Sequence, residues 1–309
     1  MSIPLPFDSL SALRAVPLPV PEETRTRWLG EWIELQQHRI SDPDFAAAFS
    51  HVYTHYDAPP DAYQQRLIDG PEGRALAGIR FFNRDPALPF VELLAWDGPD
   101  PEQWLPRIAS EWSMFRPSAV RVLRPAAPRF PGARLDMSLH AARCSEMPAT
   151  APASDLRLRP VDDAAAALAL IDAVHADVRR RQPALGRQIT ALDAAGLDWC
   201  LEHGKARLIT VADDTAGLIA CAPDSIEFLQ GQVVYEEVVS PRFQGHGLAR
   251  AAQCLLAEQL STDDQDALLI GTIAHNNPAS RRSAERAGRP AVLNYWFLPL
   301  ALPTASSRG

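Results

Sequence analysis

Lysine is nearly missing from this sequence. Of its thirty lysines and arginines only Lys205 is a lysine, so Schiff-base or lysine-nucleophile chemistry has a single place to be. Cysteine is scarce as well. Cys144, Cys200, Cys221 and Cys254 are far apart and form no CxxC pair, which argues against a redox pair or a cysteine-held metal and fits a reducing compartment. His51 and His55 share a helical spacing but have no third ligand, and no metal is expected. No apolar run is long enough to span a bilayer, and Met1-Ser2-Ile3-Pro4-Leu5-Pro6 has no cationic leader. The expectation is a cytoplasmic protein without a membrane partner. Long basic stretches are also absent. The longest is Arg179-Arg180-Arg181, and the net charge of −8 is spread evenly over both halves. No nucleic-acid partner is expected.

What is present is enough apolar material, 47% of 309 residues, to form two cores. The small, proline- and alanine-rich segment 144–154 separates two patterned regions. The expected organisation is an accessory domain over 1–143, a linker over 144–154 and a second domain over 155–309. In the second region, strand patterns cover 156–159, 206–211, 215–221, 232–239, 267–273 and 292–300. Helical periodicity covers 164–180, 192–202, 248–260 and 278–287. The first region repeats this order more weakly, with helices at 24–39, 45–56 and 101–115 and strands at 75–82, 90–96, 120–123 and 135–142. The fold class expected is α/β (α+β): a mixed, splayed central sheet with flanking helices, in two tandem lobes. The tryptophans at 28, 32, 96, 104 and 112 are expected in cores.

Chemistry concentrates in the run from Val233 to Ala249. A β-rich segment, Val233-Val234-Tyr235-Glu236-Glu237-Val238-Val239, enters the turn Ser240-Pro241 and then Arg242-Phe243-Gln244-Gly245-His246-Gly247, before a helix opening at Leu248-Ala249. Two glycines remove Cβ atoms where backbone must approach a ligand or take positive φ. The first turn of the helix adds unpaired N–H groups and the positive end of its dipole, which suit a diphosphate. The run is not a P-loop, since no Gly-Lys-Ser/Thr follows. After the next strand, Asn277-Pro278-x-Ser280 reads as an N-cap and first turn, and Gly288 as a C-terminal stop.

Together these two segments resemble the GCN5-related N-acetyltransferase (GNAT) superfamily. Arg242-x-x-Gly245-x-Gly247 is similar to its acyl-CoA pyrophosphate loop, preceded by Val239-x-Pro241, and Asn277-x-x-Ser280 with Gly288 resembles its following helix. The first half resembles a degenerate repeat of the same fold. The resemblance implies acetyl-CoA, or another short acyl-CoA, as cosubstrate, and a primary amine as acceptor (a small molecule or a peptide N-terminus). The acyl group would be transferred by direct attack in a ternary complex, by a monomer or homodimer. Backbone groups of Val238 and Val239 would pair with the pantetheine arm. Amides from Gln244, Gly245, His246, Gly247, Leu248 and Ala249 would hold the diphosphate with help from Arg242, and Asn277 or Ser280 would touch the pantetheine.

Direct attack needs a base, and the candidates are Glu237, Glu236 and Tyr235. On a regular strand Glu237 shares a face with Tyr235, the position the family uses, and is preferred. A bulge would bring Glu236 there instead. The Val239 N–H is the expected oxyanion donor. The family's tyrosine acid falls on Ala284, leaving water, Ser283 or a tyrosine from elsewhere such as Tyr295 as proton donor, and Arg289 stands where a phenylalanine is usual. A catalytically silent acyl-CoA sensor is the alternative function. In the first half, Trp96-Asp97-Gly98-Pro99-Asp100-Pro101 occupies the loop position with two carboxylates and two prolines, which predicts no CoA binding there.

Overall fold

The computed structural model describes residues 6–149 and 155–300, so the end of the expected linker, 150–154, lies outside the described residues. In chain order the helices are α1 (Leu10–Arg14), α2 (Glu22–His38), α3 (Pro43–Ala47), α4 (Leu105–Glu111), α5 (Ala164–Arg181), α6 (Pro183–Gly186), α7 (Ala194–His203), α8 (Leu248–Asp263) and α9 (Pro278–Arg286). The strands are β1 (Arg66–Gly70), β2 (Gly73–Phe81), β3 (Pro89–Trp96), β4 (Ala119–Pro125), β5 (Arg134–Arg143), β6 (Leu156–Pro160), β7 (Lys205–Val211), β8 (Asp214–Ile226), β9 (Leu229–Val239), β10 (Leu268–Ala274) and β11 (Ala291–Pro299).

The chain forms two units whose borders differ from the expected ones. Among the described residues, the first holds Pro6–Val16, Glu22–Asp136 and Leu293–Leu300, and the second holds Pro17–Pro21, Met137–Ala149 and Asp155–Val292. The crossings fall inside β5 and β11, not in the proline-rich segment around residue 150. From Met137 on, β5 pairs antiparallel with β10, while β11 pairs antiparallel with β4 from Leu293↔Pro125 to Pro299↔Ala119. Apolar alternation marks a segment as a strand but does not name its neighbour, so each closing strand was expected in the other unit.

In the first unit the sheet order is β1-β2-β3-β4-β11. Its core is aromatic: Tyr63, Trp104, Trp112 and Phe115 are buried together with Trp296 and Leu298 of β11. A charged cluster lies in the same sheet. The Glu92 carboxylate accepts from Arg80 Nε at 3.0 Å and Arg121 Nη2 at 2.7 Å, and Arg121 also meets Asp136 at 3.3 Å. Burial pushes the Glu92 carboxyl up, but the two guanidiniums outweigh it and hold it at about 2. The expected helix over 45–56 is only α3 followed by a 3-10 turn at Ser50–Val52. The edge strand β1, with few apolar residues, has no sequence signature.

The second unit carries the sheet β5-β10-β9-β8-β7-β6. Helix α5 is capped by Asp163, whose side chain accepts from Ala166 N, and buries Ala167, Ile171, Val174 and His175 at helical spacing. With α7 it covers Leu218, Ala220 and Val238 of the sheet. On the opposite face α8 buries Ala252, Leu256 and Leu260 against Ile219, Cys221 and Leu269. The β8–β9 hairpin runs further than its pattern suggests, to Ile226↔Leu229, through Pro223. Beyond Cys221 the β7 ladder has ended, so a residue without an N–H is tolerated there. All four cysteines are buried.

His140, buried in β5, donates from Nδ1 to the Arg289 carbonyl at 2.9 Å. Burial holds its pKa down at about 4. Between pH 6.5 and 4 the unfolded chain therefore binds a proton that the folded chain refuses, and stability falls as the pH drops through that window. The shift corresponds to about 3 kcal/mol at the acid end. Urea midpoints measured across this range should drop more steeply for the wild type than for His140→Asn. Parallel slopes would show that the imidazole is not held neutral.

Candidate active site

Strands β9 and β10 run parallel but share only two pairs, Leu269↔Gln232 and Ile270↔Val233. Beyond these they part, while β8 continues to follow β9 as far as Gly217↔Val239. The opening is a cleft of about 720 Å³ walled by β9, β10, α5, the loop after β9 and the starts of α8 and α9. The phase of the β8–β9 ladder decides which backbone groups face it. Ser240 N donates to Ala216 O at 2.8 Å, so hydrogen-bonded and non-bonded pairs alternate from there. Val238 is turned to β8, and Val239 and Glu237 present their peptide groups to the cleft. Of the two residues expected to serve the pantetheine arm, Val239 turns its backbone groups away from β8 and Val238 toward it.

Tyr235 is the extra residue of a bulge: Val234 pairs with Cys221 and Glu236 with Ala220. The regular-strand expectation fails here, and the two glutamates receive different surroundings. Glu236 is buried toward α5. Its Oε2 accepts from His175 Nε2 at 3.0 Å and Leu192 N at 3.1 Å, and its Oε1 from Glu237 N at 3.1 Å. Glu237 faces α8, is only half-buried, and accepts on both oxygens from Gln253 Nε2 at 2.9 Å. Burial raises the Glu237 pKa; Arg289 and Gln253 oppose the rise and Glu236 adds to it. The Tyr235 phenol donates to Asp224, and burial, followed by that bond, raises its pKa.

The glycine loop has the backbone its residues require. Gly245 and Gly247 lie at φ +85° and +75°, and a Cβ on either would meet no atom within 4 Å. The chain thus keeps a cradle open there. Gly247 is the N-cap of α8 and supplies no side-chain acceptor, so the first-turn amides of Leu248, Ala249 and Arg250 remain available. Gln244, Gly245, Gly247, Leu248 and Ala249 line the cleft with Asn277 and Ser280. Asn277 is committed to its cap, accepting from Ser280 N at 3.1 Å.

The side chains of Arg242 and His246 meet neighbours within the chain, while the contribution expected of His246 is its backbone amide. Arg242 packs on Phe243 and pairs with Asp214 at 3.6 Å, and the His246 ring is exposed near the Phe243 carbonyl. Tyr295 belongs to the first unit and lies under Arg121 at 4.5 Å. Ala284 is buried, while Ser283 borders the cleft. Sequence reasoning missed His175, Gln253 and the role of Arg289, which come from α5, α8 and the turn after α9. Their contact with β9 leaves no local pattern. Among the described residues no group of three or more His, Cys, Asp or Glu could hold a metal ion, and no helix is long and apolar enough to cross a membrane.

No family model matches the sequence, and no curated protein matches it. Solved structures do. A GNAT-family acetyltransferase from Colwellia psychrerythraea is 10% identical with a TM-score of 0.51, covering 77% of this chain and 86% of its own. A GCN5-related N-acetyltransferase from Kribbella flavida is 13% identical (TM-score 0.45, covering 82% and 94%). One from Sphaerobacter thermophilus is 15% identical (TM-score 0.43, covering 75% and 80%). At such identities the likeness is one of architecture, and the Colwellia structure carries it: the chain has a GCN5-related N-acetyltransferase fold.

Proposed function

We propose that the second unit binds acyl-CoA and transfers its acyl group to a primary amine. The observation that carries this reading is the continuity of the cleft. An open glycine cradle and an uncapped helix start lie at one end, and the parted strands lead from it to the adjacent carboxylates of Glu236 and Glu237. The amides of the loop and of α8 suit a diphosphate, and the Val239 backbone suits an extended amide-bearing arm.

The cosubstrate supplies an activated thioester, and the chain supplies proton handling and positioning. An alkyl ammonium, with a pKa of about 10, must lose a proton before it can attack. Glu237 takes this proton, because it borders the cleft and burial has raised its affinity. Glu236 is buried and already accepts from three donors of the chain itself, which leaves it a structural role. It anchors α5 and the segment at Leu192 against the bulge. As the N–C bond forms and the C–S bond breaks, the second amine proton goes to the departing thiolate, by way of water or Ser283.

Valine at position 245 or 247 would force a branched side chain to positive φ at a strain of about 1–3 kcal/mol and fill the cradle. Both variants should stay folded by circular dichroism and lose retention on a CoA column; retention at the wild-type level would refute the CoA reading. Glu237→Gln should lower kcat by about 10²–10⁴-fold while CoA still binds. The wild-type rate should rise with pH as the Glu237 carboxyl ionises. Thioester consumption with a panel of primary amines provides the assay. Tight CoA binding with no turnover on any amine would instead identify a silent acyl-CoA sensor.

A further inference from the structure

Arg289 is not used by the chemistry above, yet it is a buried charge lining the cleft. It is 2% exposed. Its Nε and Nη1 are buried without a hydrogen-bond partner. An unsatisfied buried donor costs about 1–3 kcal/mol, more when the group is charged. Its main chain is pinned on both sides, since Arg289 N donates to Ala284 O and its carbonyl accepts from His140. The charge of Glu237 reaches it across the cleft, but among the described residues no ion pair joins them. Room for the guanidinium comes from Gly271, where a Cβ would lie 3.1 Å from Arg289 Nη1 and 3.5 Å from Val234 Cβ.

That contact fixes where the guanidinium is. Gly271 and Val234 are the first residues beyond the last β9–β10 pair, Ile270↔Val233, so Arg289 sits at the closed end of the gap. The glycine cradle is at the other end, past Val239, five strand residues or roughly 17 Å away. A CoA thioester with its phosphates in the cradle points its acyl chain at Arg289. We propose that the acyl donor is a short dicarboxylic monothioester, such as a malonyl or succinyl thioester, whose terminal carboxylate is taken by the Arg289 fork. This rests on the acyl-CoA reading and narrows its substrate class. A guanidinium matches a carboxylate with two parallel donors, and a neutral acetyl group would leave both donors unmet.

Calorimetric titration of the full chain with unesterified CoA, butyryl-CoA and succinyl-CoA tests this without any turnover. Butyryl and succinyl chains have equal length and differ in the terminal charge. The wild type should bind succinyl-CoA at least about tenfold tighter than butyryl-CoA, a modest yield for a charge-assisted pair. Arg289→Met should abolish or invert that preference while CoA itself binds as before. Arg289→Lys should keep part of it, and serves alongside the wild-type ratio if the Met variant does not fold. Equal or tighter binding of butyryl-CoA by the wild type would overturn the proposal and leave the acyl-CoA reading standing. Failure of all three ligands to bind would remove both.

Discussion

The site depends on two parallel strands that stop pairing. Interrupting a ladder exposes backbone donors and acceptors, which is costly when they are buried. The second unit limits that cost by holding each strand from its outer side. β10 is paired by β5 over its whole length, Leu268↔Arg143 to Ala274↔Met137, and β9 is followed by β8 to Val239. The groups turned to the gap are then partly met by side chains: Glu237 N by the Glu236 carboxylate, and Val239 O by Gln244 Nε2 at 3.0 Å. The Val239 N–H is directed into the same opening. A cleft built this way is a missing strand, and it suits an extended ligand with amides of its own.

The bulge at Tyr235 extends the same logic to side chains. Without it, Glu236 and Glu237 would alternate on a regular strand and their surroundings would depend on strand phase alone. With it, Glu236 turns to α5 and is saturated by three donors, while Glu237 meets one donor group and lies half-buried in the cleft. Adjacent acids thus receive different surroundings, one tied into the packing of α5 and the other facing the cleft with its pKa raised by burial. Arg289 moderates the rise at Glu237, its charge opposing it without forming an ion pair.

Features written in local chemistry were legible in the sequence. The positive-φ glycines 245 and 247, the Asn277 cap, the Pro278 start and the Gly288 stop each require a residue type at one position, and the fold uses them as read. The alternating strands and helices of 156–286 were legible for the same reason. Strand partners were not. β11 is rich in apolar and aromatic residues wherever it pairs, and only packing of Trp296 and Leu298 among the first unit's aromatic side chains decides its place. The bulge was an open alternative because one extra residue leaves composition unchanged. His175 and Arg289 were illegible as site residues because they lie 61 and 53 positions from Glu236, and their roles arise only when α5 and the turn after α9 fold onto β9.

The first unit shows why the glycine cradle needs more than a turn after a strand. There too a strand, β3, runs parallel to its neighbour β4 and ends at a turn, Trp96–Pro101. But Gly98 N donates to Asp8 Oδ2 at 3.1 Å, Arg74 N to Asp97 Oδ2 at 2.8 Å, and Glu102 N to Asp100 Oδ1 at 3.0 Å. Carboxylates of the chain itself already fill the positions an anion would take. A diphosphate would have to displace them, giving up bonds that cost no translational entropy to form, and would then sit among their repelled charges. Pro99 and Pro101 also remove two amides outright. At Gly245 and Gly247 neither obstacle exists: a Cβ on either would meet nothing within 4 Å, and Gly247 places no side chain over the start of α8. What separates a phosphate cradle from an ordinary turn is whether its amides are still unclaimed.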